Sequence, residues 1–202
     1  CKMLTLEKIK IRGTLVPKEI PIVAKVGQFS EWPVVIVDVY TKEGIVGSSY
    51  LEPYVRDSVG AINNFAKIAE NFFKDKVISP FNFYETALKT FHLSGREGIT
   101  IITLAGIDMA IWDALGKSLN CPLVTLLGGE PGPVRAYNTN GLWLVPPEKI
   151  EEQASYLVNQ GNFNALKIRL GRDKLADDIE AIARVRKAVG EDIILMSDFN
   201  QG

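Results

Sequence analysis

The alternation of strand and helix patterns after residue 133 constrains the fold of this chain more than any other feature. Short runs rich in β-branched residues over 134–139, 165–170 and 193–197 are separated by helical patterns over 146–159 and 173–189. Strands that alternate with helices in this way form parallel βα units, whose sheet must be covered on both faces. The pattern therefore predicts three parallel strands of an incomplete sheet or barrel. Because a closed barrel needs eight strands, we expect the chain to be cut short within it.

The first 128 residues follow a different pattern, which predicts an α+β domain. An alternating run over 6–16, a loop over 18–32 and strands over 34–40 and 45–50 predict an antiparallel meander of three strands. Helical spacing follows over 59–73, 83–91 and 100–118. The glycine and proline cluster from Gly128 to Pro133 then separates the two patterns. We expect an N-terminal domain over 1–128 and the start of a barrel over 133–202.

Composition and charge exclude several functional classes. The chain has 23 basic and 24 acidic residues and a net charge of -1, without the cationic excess of nucleic-acid-binding proteins. Two cysteines are too few for a disulfide framework or a thiolate metal site, which is typical of a reducing compartment. The longest apolar runs, such as 34–37 and 193–196, are too short to span a membrane, and the N-terminus has no signal-peptide pattern. We expect a soluble cytoplasmic protein that binds neither a nucleic acid nor a membrane.

Charged side chains gather at the carboxyl ends of two consecutive predicted strands. Lys167 and Arg169 share one face of the strand over 165–170, and Asp198 and Asn200 point the same way at the end of the next strand. Active sites of βα folds form at this edge, and a carboxylate beside cations can hold a hard metal such as Mg²⁺. Two simpler interpretations stay open. The basic side chains can extend to solvent, and Asp198 can cap a following helix.

The segment from Ala105 to Lys117, AGIDMAIWDALGK, resembles the signature of the mandelate racemase and muconate lactonizing enzyme family of the enolase superfamily. Pro122-Leu123 and Leu126-Leu127-Gly128 belong to the same signature. The resemblance to the mandelate racemase branch extends along nearly the whole chain through further motifs: Val16-Pro17, Pro21, Val26-Gly27, Ser49-Tyr50-Leu51, Tyr54, Ala136-Tyr137, Lys167, Ala188-Val189-Gly190 and Asp198-Phe199-Asn200-Gln201. The resemblance implies an α+β capping domain followed by a (β/α)7β TIM-like barrel. It also implies one Mg²⁺, a small carboxylic acid substrate that loses its α proton, and a homo-oligomer, since family members usually associate.

The resemblance also implies roles for single residues. Lys167 would neutralise a carboxylate oxygen of the substrate, and Asp198 would be the first of three acidic magnesium ligands, with the other two beyond Gly202. Arg169 stands where the family pattern Lys-x-Lys has a second lysine that acts as a base. Because a guanidinium stays protonated, we expect Arg169 to stabilise the enediolate while a histidine beyond Gly202 acts as the base. One base instead of two favours dehydration of a sugar acid over racemisation.

The candidate substrate contacts come from both predicted domains. The loop over 20–30 and the turn over 51–54 would cover the pocket, and Glu52 replaces an aromatic residue of the mandelate-type enzyme. A carboxylate there favours a hydroxylated acid over an aryl acid, although Glu52 can equally well point to water. His92, the only histidine, lies in the capping domain and is not the expected base. The candidate substrate-binding residues are Ile22, Glu52, Tyr54, Thr139 and Asn200.

Two functions are compatible with the sequence. The first is a Mg²⁺-dependent enzyme that acts on a 2-hydroxy or sugar acid, either a mandelate racemase-like isomerase or an acid-sugar dehydratase, which is a lyase. The second is a non-catalytic relative that only binds a carboxylate, because the base of the second strand is replaced by Arg169. In both cases we expect residues 1–202 alone to be inactive, since most of the metal site would be missing from them.

Overall fold

The computed structural model describes residues 3–199 and divides the chain into two compact units. The first unit comprises Cys1–Val16 and Trp32–Gly132, and the second comprises Pro17–Glu31 and Pro133–Gly202. The expected division into 1–128 and 133–202 assigned residues 17–31 to the first domain. The structure instead groups them with the second unit, so this unit is built from two separate stretches of the chain.

The first unit is built around a four-stranded sheet with the strand order β3-β2-β1-β4. Its strands are β1 (Leu4–Ala24), β2 (Gly27–Thr41), β3 (Val46–Leu51) and β4 (Val77–Ile78). β3 runs antiparallel to β2, and β4 runs antiparallel to β1. The helices that follow are α1 (Ser58–Phe73), α2 (Pro80–Thr90), α3 (Gly98–Leu119) and the short α4 (Leu123–Leu126). The predicted α+β fold of this unit is confirmed.

The loop predicted over 18–32 is a β-hairpin instead. β1 continues through the exposed Pro17 as far as Ala24, and β2 begins at Gly27 after a turn at Lys25 and Val26. Proline has no N–H to donate, so a strand tolerates it only where no ladder bond is needed. The tip of the hairpin is fixed within the second unit, where the Leu144 N–H donates to the Val23 carbonyl at 3.0 Å.

Helix α3 lies at the centre of the core of the first unit. Its buried residues include Leu104, Ile107 and Ile111, and it packs against β3, α1 and α2. β3 approaches it so closely that a Cβ atom on Gly47 would lie 1.9 Å from the Ala110 carbonyl oxygen. Within residues 3–199, α3 is the one helix with the length and composition of a membrane span, although Asp108 and Asp113 interrupt its apolar sequence. Its packing is that of a core helix.

The second unit contains βα units with parallel strands. Its elements are α5 (Ile150–Asn159), β5 (Ala165–Arg169), α6 (Leu175–Val189) and β6 (Ile194–Asp198). The strand predicted over 134–139 is wrong, because Asn138 forms only a single parallel bridge to Leu166. The Asn138 side-chain oxygen accepts from the N–H of Asn140 at 3.0 Å, and such a local bond competes with a strand ladder. The other two predicted strands are β5 and β6, which pair in parallel.

Candidate active site

β5 and β6 bring three predicted charged residues to one edge of the second unit. The strand register places Arg169 opposite Asp198, and the period of two places Lys167 on the same face as Arg169. Lys167 Nζ forms an ion pair with Asp198 Oδ2, and their side chains are 21% and 31% exposed. Arg169 is buried. Because two cations face one carboxylate, this edge carries an excess of positive charge that suits an anionic ligand.

The Arg169 guanidinium is fixed by its neighbours in the second unit. Its Nη1 donates to the Thr139 carbonyl at 3.1 Å, and its Cζ lies 4.0 Å from the ring centroid of Trp143. Burial lowers the pKa of Arg169, whereas the charges of Asp198 and Tyr137 act to raise it. Because a guanidinium is a very strong base, this side chain keeps its proton and serves as a fixed positive charge.

Three buried polar atoms, on Arg169 and on two residues that it contacts, have no hydrogen-bond partner within residues 3–199. They are Thr139 Oγ1, Trp143 Nε1 and Arg169 Nε. Buried polar groups in proteins are nearly always hydrogen-bonded, either to protein or to ordered water. Each of these three atoms therefore lacks the partner that a buried polar group normally has. Sequence reasoning missed Trp143, although its position four residues after Thr139 places it just beyond the first predicted barrel strand.

A buried ion pair holds the loop that carries Trp143. Arg172 Nη1 lies 2.9 Å from Asp178 Oδ1, and the two side chains are 8% and 7% exposed. The same guanidinium donates to the carbonyls of Trp143, Val145 and Arg169 at 2.9 to 3.2 Å. Burial acts to raise the pKa of Asp178, but hydrogen bonds from backbone N–H groups and from Arg172 outweigh it, so this pKa is lowered. Arg172 thus ties the end of β5 to this loop and to α6.

The other predicted substrate contacts lie at separate places in the chain. Ile22 is buried in β1, in the second unit. Glu52 and Tyr54 belong to the first unit, where Trp32 Nε1 donates to Glu52 Oε2 at 2.9 Å and the Trp32 ring meets the Tyr54 ring edge-on at 5.7 Å. Asn200 lies outside the described residues. The substrate contacts assigned to these residues and to Thr139 stay predictions.

Asp198 is the residue of this edge that suits magnesium. Mg²⁺ prefers about six oxygen ligands in an octahedral arrangement, and a carboxylate is the right kind of donor. No group of three or more His, Cys, Asp or Glu side chains that could hold a metal ion occurs within residues 3–199. The described part of the chain therefore offers one acidic ligand, beside Lys167. The remaining ligands would have to be water, substrate or residues outside this range.

Two family models match the chain. The model for the N-terminal domain of mandelate racemase and muconate lactonizing enzyme matches residues 7–128. A model described as enolase C-terminal domain-like matches residues 149–202. The two matches correspond to the α+β unit and to the βα units, so the predicted order of a capping domain and the first part of a barrel is confirmed.

Enzymes and solved structures from bacteria and archaea are similar to the chain. Arabinonate dehydratase from Saccharolobus solfataricus is 38% identical over 108 residues, which cover 52% of this chain and 29% of that enzyme. N-succinyl-L-Arg/Lys racemase from Bacillus cereus is 30% identical over 203 residues, which cover 96% of this chain and 52% of that enzyme. A crystal structure of an enolase with bound magnesium, from alpha proteobacterium bal199, is 40% identical with a TM-score of 0.89, covering 98% of this chain and 56% of that one. The chain therefore spans about half the length of these relatives, or less.

Proposed function

The chain belongs to the mandelate racemase and muconate lactonizing enzyme family of the enolase superfamily, and on this premise we propose that the complete protein removes the proton α to a carboxylate with the help of Mg²⁺. The proposed substrate is a 2-hydroxy or sugar acid, and the reaction is racemisation or dehydration. Relatives include racemases, epimerases and acid-sugar dehydratases. Solved structural neighbours are complexed with mandelic acid, a dipeptide and L-glucarate. The single observation that carries the proposal is the edge where Lys167 and Arg169 meet Asp198.

Lys167 has the position and charge to stabilise the product of proton removal. An enediolate carries negative charge on two adjacent oxygens, so the reaction needs positive charge that is already in place. The ammonium of Lys167 is partly exposed and can meet one of these oxygens. Two unit charges 4 Å apart at an effective dielectric constant of 20 interact by about 4 kcal/mol, or about a thousandfold in rate. Magnesium, when held by Asp198, would supply further positive charge to the same oxygens.

Arg169 favours a reaction that uses one base. Its guanidinium is buried, bonded to the Thr139 carbonyl and stacked on Trp143, so it holds negative charge and does not accept a proton. A base on only one face of the α carbon removes the proton from one configuration of the substrate. We therefore propose dehydration of a sugar acid in preference to racemisation of an aryl acid.

Exchange of the α proton in D2O tests the proposed reaction. The full-length protein with Mg²⁺ is incubated with both enantiomers of mandelate, with arabinonate and galactarate, and with N-succinyl amino acids, and loss of the α-proton signal is followed by NMR. We expect exchange from one configuration of a sugar acid. Lys167→Met should slow this exchange about 10²- to 10³-fold, whereas Lys187→Met, which changes an exposed lysine of α6, should not. Equal exchange from both enantiomers of mandelate would contradict a single base. Exchange from none of the acids would contradict the proposed removal of the α proton.

A carboxylate-binding protein without catalytic activity is the second candidate function. The fixed and protonated Arg169 favours it, because such a side chain is suited to hold an anion. This candidate predicts that the same acids bind, as titration calorimetry would measure, without any exchange of their α protons.

We also propose that the complete protein is a cytoplasmic homo-oligomer. The homo-oligomer is expected from the family, and the two cysteines, too few for a disulfide framework, favour a reducing compartment. Light scattering on the purified full-length protein tests the association, and a molar mass equal to one chain would contradict it.

A further inference from the structure

We propose that Asn140 is a site of spontaneous deamidation, at which the backbone nitrogen of Gly141 displaces the side-chain amide while the ammonium of Lys18 activates the carbonyl. These two residues form the only asparagine–glycine pair in the sequence. The inference does not depend on the proposed catalytic activity, because the reacting groups belong to the chain itself. The modification would add one negative charge to the loop that precedes Trp143.

The reaction needs only water as a further reactant. The nitrogen of Gly141 attacks Cγ of Asn140, so a C–N bond forms and the N–H proton passes to hydroxide or water. The bond from Cγ to Nδ2 then breaks, and this nitrogen takes up a proton and leaves as ammonia. Water opens the resulting succinimide ring at either carbonyl, which gives aspartate or isoaspartate. Because the reacting groups lie on adjacent residues, ring closure avoids the entropic cost of bringing two molecules together.

The groups that must react are not held by hydrogen bonds. Within residues 3–199, neither the Gly141 N–H nor the Asn140 Nδ2 donates to another group. The bonds of this loop lie on either side of the pair. The Asn140 N–H donates to Asn138 Oδ1 at 3.0 Å, and the Leu142 N–H donates to Gln153 Oε1 at 3.2 Å. The nucleophile and the leaving group can therefore react without the loss of a hydrogen bond.

Packing explains why glycine follows Asn140. Gly141 is buried, and a Cβ atom at this position would lie 2.9 Å from Leu157 Cδ1 and 3.4 Å from Ile20 Cδ1. A larger residue would therefore push against the core of the second unit. Because glycine has no side chain, it also leaves its nitrogen open to the neighbouring amide. The packing of the loop thus retains a pair of residues that is chemically labile.

Lys18 is placed to activate the carbonyl that is attacked. Its Nζ donates to Asn140 Oδ1 at 3.2 Å, and both residues are half-buried. Attack on Cγ moves negative charge onto Oδ1, so this hydrogen bond becomes stronger as the tetrahedral intermediate forms. The two residues are 122 positions apart in the sequence, and therefore only the folded chain brings them together. Folding of the second unit thus promotes the reaction.

The two products should change the loop in different ways. Aspartate keeps the main chain unaltered and can form an ion pair with Lys18. Isoaspartate adds one carbon to the main chain before Gly141, which displaces Leu142. The Leu142 carbonyl accepts from the Arg169 N–H at 2.9 Å, so this displacement reaches the charged edge of the candidate site. We expect isoaspartate to loosen this part of the second unit and aspartate to preserve it.

Incubation of the full-length protein at neutral and at alkaline pH tests this inference. Mass spectrometry of peptides that contain Asn140 detects the gain in mass from amide to acid and separates aspartate from isoaspartate. We expect both products to accumulate, and to do so faster at alkaline pH, because hydroxide removes the Gly141 proton. Asn162, which is exposed but is followed by phenylalanine, should stay unchanged over the same time.

Variants separate the role of Lys18 from that of the labile pair. Lys18→Met should slow the conversion of the folded protein about tenfold, whereas Lys10→Met, which changes an exposed lysine earlier in β1, should not. In urea the contact with Lys18 is lost, so Lys18→Met should have no effect there. Gly141→Ala should slow the conversion in urea as well, because its methyl group crowds the attacking nitrogen. That last result does not require the variant to fold.

Two results would overturn the inference. Conversion of Asn140 in urea but not in the folded protein would show that the native loop protects the amide. Equal rates of conversion in the folded unchanged protein and in folded Lys18→Met would show that the ammonium does not activate the carbonyl.

Discussion

Replacing Arg172 with methionine should destabilise the second unit far more than the same replacement at Arg184. The Arg172–Asp178 pair is buried, and removal of one partner leaves the other charge without compensation, which costs about 3–5 kcal/mol in proteins. Arg184 also makes two ion pairs, with Glu180 and Glu151, but its side chain is 34% exposed. Exposed pairs of this kind contribute about 0–1 kcal/mol.

Hydrogen exchange measured by mass spectrometry on the full-length protein resolves the effect locally. When exchange follows the opening equilibrium, a decrease of about 3 kcal/mol in the free energy of opening makes exchange roughly 100-fold faster. A decrease of about 1 kcal/mol makes it about fivefold faster. Peptides from α6 (Leu175–Val189) should therefore exchange at least about 100-fold faster in Arg172→Met, and less than about fivefold faster in Arg184→Met.

A double variant separates the charge from the packing. In Arg172→Met with Asp178→Leu neither charge is buried, and replacement of a whole buried pair by apolar residues is often close to neutral. The hydrogen-exchange rate of the α6 peptides in this double variant should return most of the way to the rate in the unchanged protein. Exchange rates of Arg172→Met and Arg184→Met that agree within about fivefold would refute the reasoning, because burial would then not decide the strength of the pair.

Three further predictions concern the first unit. Gly47→Ala should lower its stability by about 1–3 kcal/mol or more, because the new Cβ would lie 1.9 Å from the Ala110 carbonyl oxygen. Gly60→Ala, at an open position of α1, should instead raise stability by about 0.5–1 kcal/mol, and thermal unfolding of both variants checks the contrast. Burial raises the pKa of Asp108, so the folded protein holds this proton more tightly than the unfolded chain does. The resulting contribution to folding stability is present at low pH and is lost as pH rises through the raised pKa. The stability of the unchanged protein relative to Asp108→Asn should therefore fall from about pH 4 upward, and parallel urea-unfolding curves over pH 4–8 would contradict this. Glu52→Phe should widen the use of aryl hydroxy acids, and an unchanged preference would count against a substrate-facing Glu52.

Hydrophobic periodicity made the helices and the buried strands predictable. Helix α3, predicted over 100–118, spans Gly98–Leu119, and the strand predicted over 165–170 is β5, Ala165–Arg169. Prediction failed where single residues decide the backbone. Asn138 bonds its own neighbour Asn140 and interrupts a strand, whereas Pro17 lies within a strand that continues past it.

The charged edge of the candidate site was predictable because it depends on local rules. Lys167 and Arg169 are two residues apart in one strand, and Asp198 ends the next, so strand period and parallel order bring them together. Trp143 and Arg172 were not predictable in the same way. The carbonyls that Arg172 binds in the loop lie 27 and 29 residues earlier in the chain, and no sequence pattern encodes that contact.

The hairpin of β1 and β2 limits how this chain can be recombined with its relatives. Its tip belongs to the second unit, where Lys18 Nζ donates to Asn140 Oδ1 at 3.2 Å and Glu19 Oε1 accepts from the Tyr156 hydroxyl at 2.5 Å. A chimaera joined near residue 132 would inherit the tip from one parent and its bonding partners from the other. Residues 17–31 must therefore be exchanged together with those that follow residue 133. The two residues that form each of these hydrogen bonds should come from the same parent.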